Sequence, residues 1–260
     1  RIGHDLANRN VDSLAPVSDN GVPQEVSLLV AELNSLLTRM AQALQSQQRF
    51  VADAAHELRS PMTALKLQVQ ILARAKDETA RTQAIVRLLG GIDRSSRLVE
   101  QLLVLAREEP SSQEFASRAI PLAAGVSQAL ADVAPFALSR HIELRCSALA
   151  QVNILGDGES VRMMIRNLLD NAVRYTPEQG LVQIDLVTDG SIATLTIQDS
   201  GSGISQQNRA RVFDRFYRVP GTSPTGSGLG LAIVKTIADR YGATVELGNA
   251  AIGGLAVTVT

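Results

Sequence analysis

At about 150 residues per domain, a chain of 260 residues has room for one to three domains, and a single core is not required. With 25 Lys and Arg against 26 Asp and Glu the formal charge is -1, so no basic field draws the chain to nucleic acid, and a DNA or RNA partner is not expected. Apolar residues at 45% and charged residues at 20% argue for a folded chain. The lone Cys146 excludes an internal disulfide. The three histidines, His4, His56 and His141, do not combine with it into a closed zinc site, so a reducing compartment and no structural metal are expected. No run approaches the roughly 18 to 20 apolar residues that span a bilayer. The longest candidates, such as Ile120 to Val126, are soon interrupted, which predicts a soluble chain. Because it opens on Arg1 in what reads as mid-module, an upstream segment is expected to precede it.

Up to about residue 108 the pattern is helical. Val26, Leu29, Leu33, Leu36, Met40 and Ala43 alternate spacings of three and four, the seam of a helix that wants a partner. Pro23 suits the helix start and Glu25 favours the positive end of its dipole. The seam continues through Phe50, Ala54 and Leu58, meets Pro61, and resumes with Leu65, Val69 and Leu72. Pro61 predicts a bend just after His56. Lys76, Asp77 and Glu78 read as a turn. A second helix carries Ile85, Leu88, Ile92, Val99, Leu102 and Ala106, weakened by Gly90 and Gly91. Two seams on one hairpin do not fully bury each other. Pairing two hairpins into a four-helix bundle closes the core, which predicts a homodimer.

Pro110, Ser111 and Ser112 read as a linker, after which the period changes. Residues 142–146, 182–187, 192–197, 244–247 and 255–259 alternate apolar and polar as half-buried strands do. Helical stretches at about 122–140, 159–175 and 229–241 interleave with them. The expected fold class is α+β: an antiparallel helical hairpin, then an α/β two-layer sandwich with helices on one face of a mixed sheet.

Four clusters carry chemistry. On a helix, Asn167, Asn171 and Arg174 fall within about 60° of one another at 100° per residue, opposite Val161, Ile165, Leu168 and Ala172. Carboxamide oxygens suit a hard cation such as Mg²⁺, and a guanidinium suits phosphate. The alternative is an ordinary solvated face. Asp199, Ser200, Gly201, Ser202 and Gly203 end a strand: the carboxylate can accept from an exocyclic amine while glycines let a planar base approach the backbone. A plain strand-exit turn uses the same residues. Gly226, Ser227, Gly228, Leu229 and Gly230 open a helix and present amides to an anion. Leu231 and Ala232 stand where a Walker loop needs Lys and Ser/Thr, and the spacing is not that of dinucleotide folds. Upstream, Ser205 to Thr225 with Phe213, Phe216, Tyr217, Pro220, Gly221 and Pro224 suits a lid with aromatic anchors, or a packed surface loop. In the fourth cluster, His56 and Glu57 resemble half of a zinc-protease helix, but Ser60 occupies the second histidine position, which excludes that chemistry. A lone helical histidine is often structural. Its acidic neighbour and the coming proline make His56 a candidate nucleophile near neutral pH, with Glu57 fixing its tautomer, although adjacent residues do not face each other squarely. Ser60 shares the face of His56 and can hold a water near it.

In this order and spacing the strings resemble the sensor histidine kinases of bacterial two-component systems, over nearly the whole chain. His56 to Pro61 resembles that family's H box, Asn167 to Asn171 the N box, Asp199 to Gly203 the G1 box, Phe213 to Tyr217 the F box and Gly226 to Gly230 the G2 box. Among subfamilies, the strings DAAHELRSPMTALK, NLLDNAVRY and FYRVPG look most like QseC-type sensors. The resemblance implies three parts: the end of a HAMP-type signalling module with its coiled-coil helix at 1–44, a dimerisation and phosphotransfer hairpin at 45–112, and a catalytic ATP-binding domain of the Bergerat (GHKL-like) type at 113–260. It implies ATP and Mg²⁺ as ligands: adenine on Asp199 with Gly201 and Gly203, Mg²⁺ on Asn171, and polyphosphate on Asn167, Arg174, Arg218 and the turn of Gly226, Gly228, Leu229 and Gly230, with Tyr175 alongside. His56 is then the phosphoacceptor and Glu57 the base or orienter. Ser60 is a water-positioning residue for phosphatase activity, where family members often carry Thr or Asn. The implied partners are a second copy and a response regulator whose aspartate takes the phosphoryl group. The domains rotate about the Ser111 linker, in the cytoplasmic portion of an inner-membrane sensor. A nucleotide-gated interaction module, which needs no His56, and an inert coiled coil with a passenger domain are the alternatives.

Overall fold

The computed structural model describes residues 15–17, 24–106, 118–221 and 226–260. It divides into two units, Arg1–Ala84 and Ile85–Thr260. The expected helix start at Pro23, the linker at 110–112 and the lid positions Pro224 and Thr225 lie outside the described residues.

The first unit is built on helix α1, Gln24–Ala73. Pro61 lies inside it, so the expected bend does not interrupt the helix. Near its start the Asn34 carboxamide accepts from Val17 N at 2.6 Å and donates to Val17 O at 2.9 Å, and Val17 and Val30 are buried. The chain turns at 74–77, where Arg74 N and Ala75 N donate to Ile71 O and Leu72 O. The Asp77 carboxylate then accepts from Ala80 N at 2.7 Å and caps helix α2, Glu78–Ala106.

Both helices carry a half-buried stripe with the expected spacing of threes and fours, but not on all the expected residues. On α1 it runs through Ala54, Leu58, Pro61, Leu65, Gln68 and Leu72. Val69 is 51% exposed, and its polar neighbour takes the position. On α2 the stripe is Ala84, Leu88, Gly91, Ser95, Leu98, Leu102 and Leu105, whereas Ile85, Ile92, Val99 and Ala106 are exposed. On α2, Ala84, Gly91 and Ser95, which contribute little to a hydrophobicity count, alternate with leucines on the covered stripe, and Ile85, Ile92 and Val99 form a second apolar stripe beside it.

In the second unit, residues beyond 117 form a mixed five-stranded sheet in the order β2-β4-β5-β7-β6 and a small ribbon of β1 with β3. The strands are β1 (Arg118–Pro121), β2 (Glu143–Leu149), β3 (Asn153–Gly156), β4 (Leu181–Asp189), β5 (Ile192–Asp199), β6 (Val245–Ala250) and β7 (Gly254–Val259). β2 pairs in parallel with β4, and the other pairs are antiparallel. The helices are α3 (Leu122–Ser139), α4 (Gly158–Tyr175) and α5 (Gly230–Arg240). Alternate residues Val182, Ile184 and Leu186 on β4, and Leu195 and Ile197 on β5, are buried as the period of two requires. They form the core with Val126, Ile165, Leu169, Val173, Ile233 and Ile237 from the helices. The β1–β3 ribbon was not expected, because strands of 4 residues are too short to show alternation.

Against expectation, α3 is long and apolar enough by length and composition to cross a membrane. Its buried residues Leu122, Ala123, Val126, Ala129, Val133 and Ala137 repeat at helical spacing, and the helix packs on α4 and β2. That is the pattern of a core helix.

Candidate active site

Helix α4 is fixed at both ends. At its start the Asp157 carboxylate accepts from Ser160 N at 3.0 Å, from Ser160 Oγ at 2.6 Å and from Glu159 N at 3.4 Å. Burial pushes the Asp157 carboxyl up, but the bonds from Ser160 and Glu159 and the charge of Arg240 outweigh it and leave it below its ordinary value. At its end Arg140 Nη1 donates to Val173 O at 2.9 Å and to Arg174 O at 3.0 Å, satisfying carbonyls that a helix terminus leaves open.

The expected polar face of α4 is only partly a solvated face. Asn171 and Arg174 are half-buried and Tyr175 is 37% exposed, but Asn167 is buried at 5%. Its Nδ2 donates to Met163 O at 2.8 Å, and its Oδ1 accepts from Gln101 Nε2 on α2 at 2.8 Å. Between these groups lies Asp170, whose carboxyl is raised by burial against the opposing charges of Arg166, Arg174 and Arg97. Sequence reasoning passed over both Gln101 and Asp170.

Asp199 continues the inward-facing series of Leu195 and Ile197 at the end of β5, which places a carboxylate on the core side of the sheet. It is 5% exposed. Its Oδ1 accepts from Gly201 N at 2.8 Å and Leu255 N at 3.3 Å. Burial raises its pKa, and those two amides only partly offset the shift. Two neighbours approach it closely because they lack a Cβ. One added at Gly201 would lie 2.5 Å from Tyr175 O and 2.8 Å from Asp199 Oδ1, and one added at Gly254 would lie 2.5 Å from Asp199 Oδ1. Gly254 escaped the sequence reading, although the pair Gly253-Gly254 opening a strand was a visible signal.

On the other side of α4 the glycine-rich turn meets the same helix. A Cβ on Gly230 would stand 2.8 Å from Asn171 Nδ2 and 3.1 Å from its Oδ1, and one on Gly226 would stand 3.9 Å from Arg174 Nη1. Gly228 has φ +71°, and a Cβ there would meet the Phe216 backbone at 2.7 Å, so the turn touches the segment that carries Phe216. Leu229 is fully buried, so its side chain belongs to the core. In that segment Tyr217 OH donates to Asn208 Oδ1 at 2.9 Å, and the Arg211 guanidinium lies 4.4 Å from the Tyr217 ring centroid. Arg218 is exposed. The glycine beside Asp199 and those of the 226–230 turn thus both approach α4, Gly201 at Tyr175 and the turn at Asn171 and Arg174. No group of three or more His, Cys, Asp or Glu side chains suited to a metal ion occurs among the described residues, so an oxygen-loving cation would rely on Asn171 and on its ligand's own oxygens.

In the first unit His56 and Ser60 are exposed on α1, and Glu57 is half-buried. They sit in unbroken helix, where His56 and Ser60 share a face at i, i+4.

Residues 156–260 match the family model for histidine kinase-, DNA gyrase B- and HSP90-like ATPases. Residues 46–111 match the His Kinase A (phospho-acceptor) domain. Sensor protein QseC of Escherichia coli (strain K12) is 40% identical over 257 residues, covering 98% of this chain and 56% of QseC, so the chain spans about half the length of the curated relatives it matches. Among solved structures, histidine kinase AdeS of Acinetobacter baumannii is 25% identical with a TM-score of 0.59, over 78% of this chain and 95% of AdeS. Full-length ShkA, solved in complex with AMPPNP, is 24% identical with a TM-score of 0.58, over 82% of this chain and 45% of ShkA. A phospho-acceptor domain followed by an ATPase domain of this type, and 40% identity to a QseC sensor along almost the whole length, establish that the chain belongs to the sensor histidine kinases.

Proposed function

We propose that this chain transfers the γ-phosphoryl group of ATP to His56 and passes it on to an aspartate of a response regulator. What supports the reading most is the placing of missing Cβ atoms: Gly201 and Gly254 keep the Asp199 carboxylate open to a planar amine-bearing base, and Gly230 keeps the Asn171 carboxamide open. Asp199 Oδ2 is the acceptor for the adenine amine. Asn167, Asn171, Arg174, Arg218 and the backbone amides of the 226–230 turn take the phosphates, and the N-terminus of α5 adds its dipole. The oxygen of Asn171 suits Mg²⁺, which when bound to the phosphates neutralises charge on the departing diphosphate.

His56 attacks the γ-phosphorus with a ring nitrogen lone pair as the bond to the β,γ-bridging oxygen breaks, releasing ADP. The proton on the other ring nitrogen passes to or is shared with Glu57, which supports the charge that develops on the ring. Phosphoryl transfer asks mainly for positioning and charge neutralisation, which these residues supply. Ser60 holds a water for the reverse duty, removal of the phosphoryl group from the regulator. We assign 1–44 to the end of a HAMP-type module, 45–112 to the phosphotransfer hairpin and 113–260 to the ATP-binding domain. The exposed apolar stripe on α1 and α2, including Val69, Ile85, Ile92 and Val99, is what a second copy covers in a homodimer. The chain is read as the cytoplasmic portion of an inner-membrane sensor.

Incubation with γ-labelled ATP and Mg²⁺ tests the reading. Label that is acid-labile and base-stable is expected, and it is lost in His56→Gln. Label that survives the substitution refutes the assignment, and nucleotide binding without any label favours a nucleotide-gated interaction module.

A further inference from the structure

Asn167, which the proposed function counts among the nucleotide-contacting residues, is already engaged. It is 5% exposed, its Nδ2 is held by Met163 O within its own helix, and its Oδ1 accepts from Gln101 Nε2 at 2.8 Å. Gln101 lies 66 positions away in the last two turns of α2, where Leu102 and Leu105 are buried at 8% and 1%. The same stretch carries two charges matched to α4. Arg97 is near enough to Asp170 to oppose the effect of its burial, and Glu100 near enough to Arg162 to favour its charged form. The hydrogen bond from Gln101 to Asn167 is the direct contact between the two helices, and the two charge pairs lie in the same stretch at longer range.

We propose that the end of α2 is an intramolecular brake: Gln101 occupies the Asn167 carboxamide and must leave before that residue can engage a nucleotide. The inference rests on the assignment of Asn167 to the nucleotide site. It makes Gln101 a positioning residue acting through Asn167, since a helix end that carries Gln101 away frees the acceptor and one that returns it blocks the site again. A competent state that is only partly populated lowers apparent affinity by its fraction, and removing the competing contact restores it. Linkage requires the converse as well: nucleotide that engages Asn167 must loosen the end of α2 by the same factor.

The test uses the whole 260-residue chain, with a non-hydrolysable ATP analogue and Mg²⁺ as the probe. Gln101→Ala removes the donor, and Gln101→Glu keeps the shape while replacing the donor by an acceptor. Losing one hydrogen bond of this kind is expected to tighten analogue binding about threefold to tenfold in both variants, with thermal melting confirming that both remain folded. In the unaltered chain, the analogue should lower hydrogen-exchange protection over residues 95–106. Unchanged or weaker binding in both folded variants, or protection there that the analogue leaves as it was, overturns the inference. Absence of analogue binding in all three proteins overturns the nucleotide reading and the brake with it, and is thereby distinguished from failure of the brake alone.

Discussion

Asp199→Asn separates what this residue does for a ligand from what it costs the fold. Oδ1 already accepts two backbone amides, from Gly201 and Leu255, so Oδ2 is the atom left to read an adenine amine. Asparagine keeps an oxygen for the amides and turns an NH2 group toward the ligand, where donor meets donor. A hydrogen bond to a charged group is worth about 1.5–3 kcal/mol, so affinity for an ATP analogue should fall about tenfold to 150-fold. Stability should move the other way. Burial raises the Asp199 pKa above its ordinary 3.8, so between that value and the raised one the fold binds more protons than the unfolded chain does. Stability contributed by this group is therefore full at low pH and declines as pH rises through that window. At neutral pH the ionised side chain is a burden that asparagine removes. Titration calorimetry should show the loss of affinity, and thermal denaturation of the ligand-free chain should show an unchanged or higher Tm. Undiminished affinity would refute the assignment of adenine to Asp199, and a Tm lowered by several degrees would refute the burial argument.

Gly230→Ala pushes a methyl against Asn171 at 2.8 Å. A displacement of about 1 Å at such a site costs roughly a hundredfold in rate, so autophosphorylation should collapse while circular dichroism stays unchanged. Asp157→Ala removes the cap of α4 and should cost about 1 kcal/mol in urea unfolding. The Asp157 pKa is held below 3.8, so its contribution is present above that value and is lost as pH falls through the depressed one. The variant's stability should accordingly be flatter in acid than that of the unaltered chain.

The site was legible where it is written in short strings. Asn167 to Tyr175, Asp199 to Gly203 and Gly226 to Gly230 each lie at one turn or on one helix, and the close approaches at Gly201, Gly228 and Gly230 are what glycine at those positions implied. What remained hidden depends on partners far away in sequence. No spacing rule links Gln101 to Asn167, so an asparagine expected on an open polar face beside Asn171 and Arg174 is instead buried. Gly254 shapes the Asp199 site from the neighbouring strand β7, 55 residues on by numbering. The face of α2 covered within a single copy differs from the expected seam for another reason. Two apolar stripes run side by side on α2, and hydrophobicity alone favours Ile85, Ile92 and Val99 over the Ala84, Gly91 and Ser95 that are actually covered. The α3 helix read as interrupted because Ser127, Gln128 and Asp132 break its run, yet its mean hydropathy over 18 residues still reaches 1.3.

The most direct test of the central claim is to find where the phosphoryl group lands. After incubation with Mg²⁺ and ATP at alkaline pH, trypsin should release residues 50–59, a peptide bounded by Arg49 and Arg59 in which His56 is the sole histidine. The account predicts phosphate on His56 in that peptide, and none when Asn171 is replaced by alanine. Phosphate on Ser60 or on a peptide from elsewhere in the chain would contradict it, as would an unmodified peptide from a chain that binds the nucleotide.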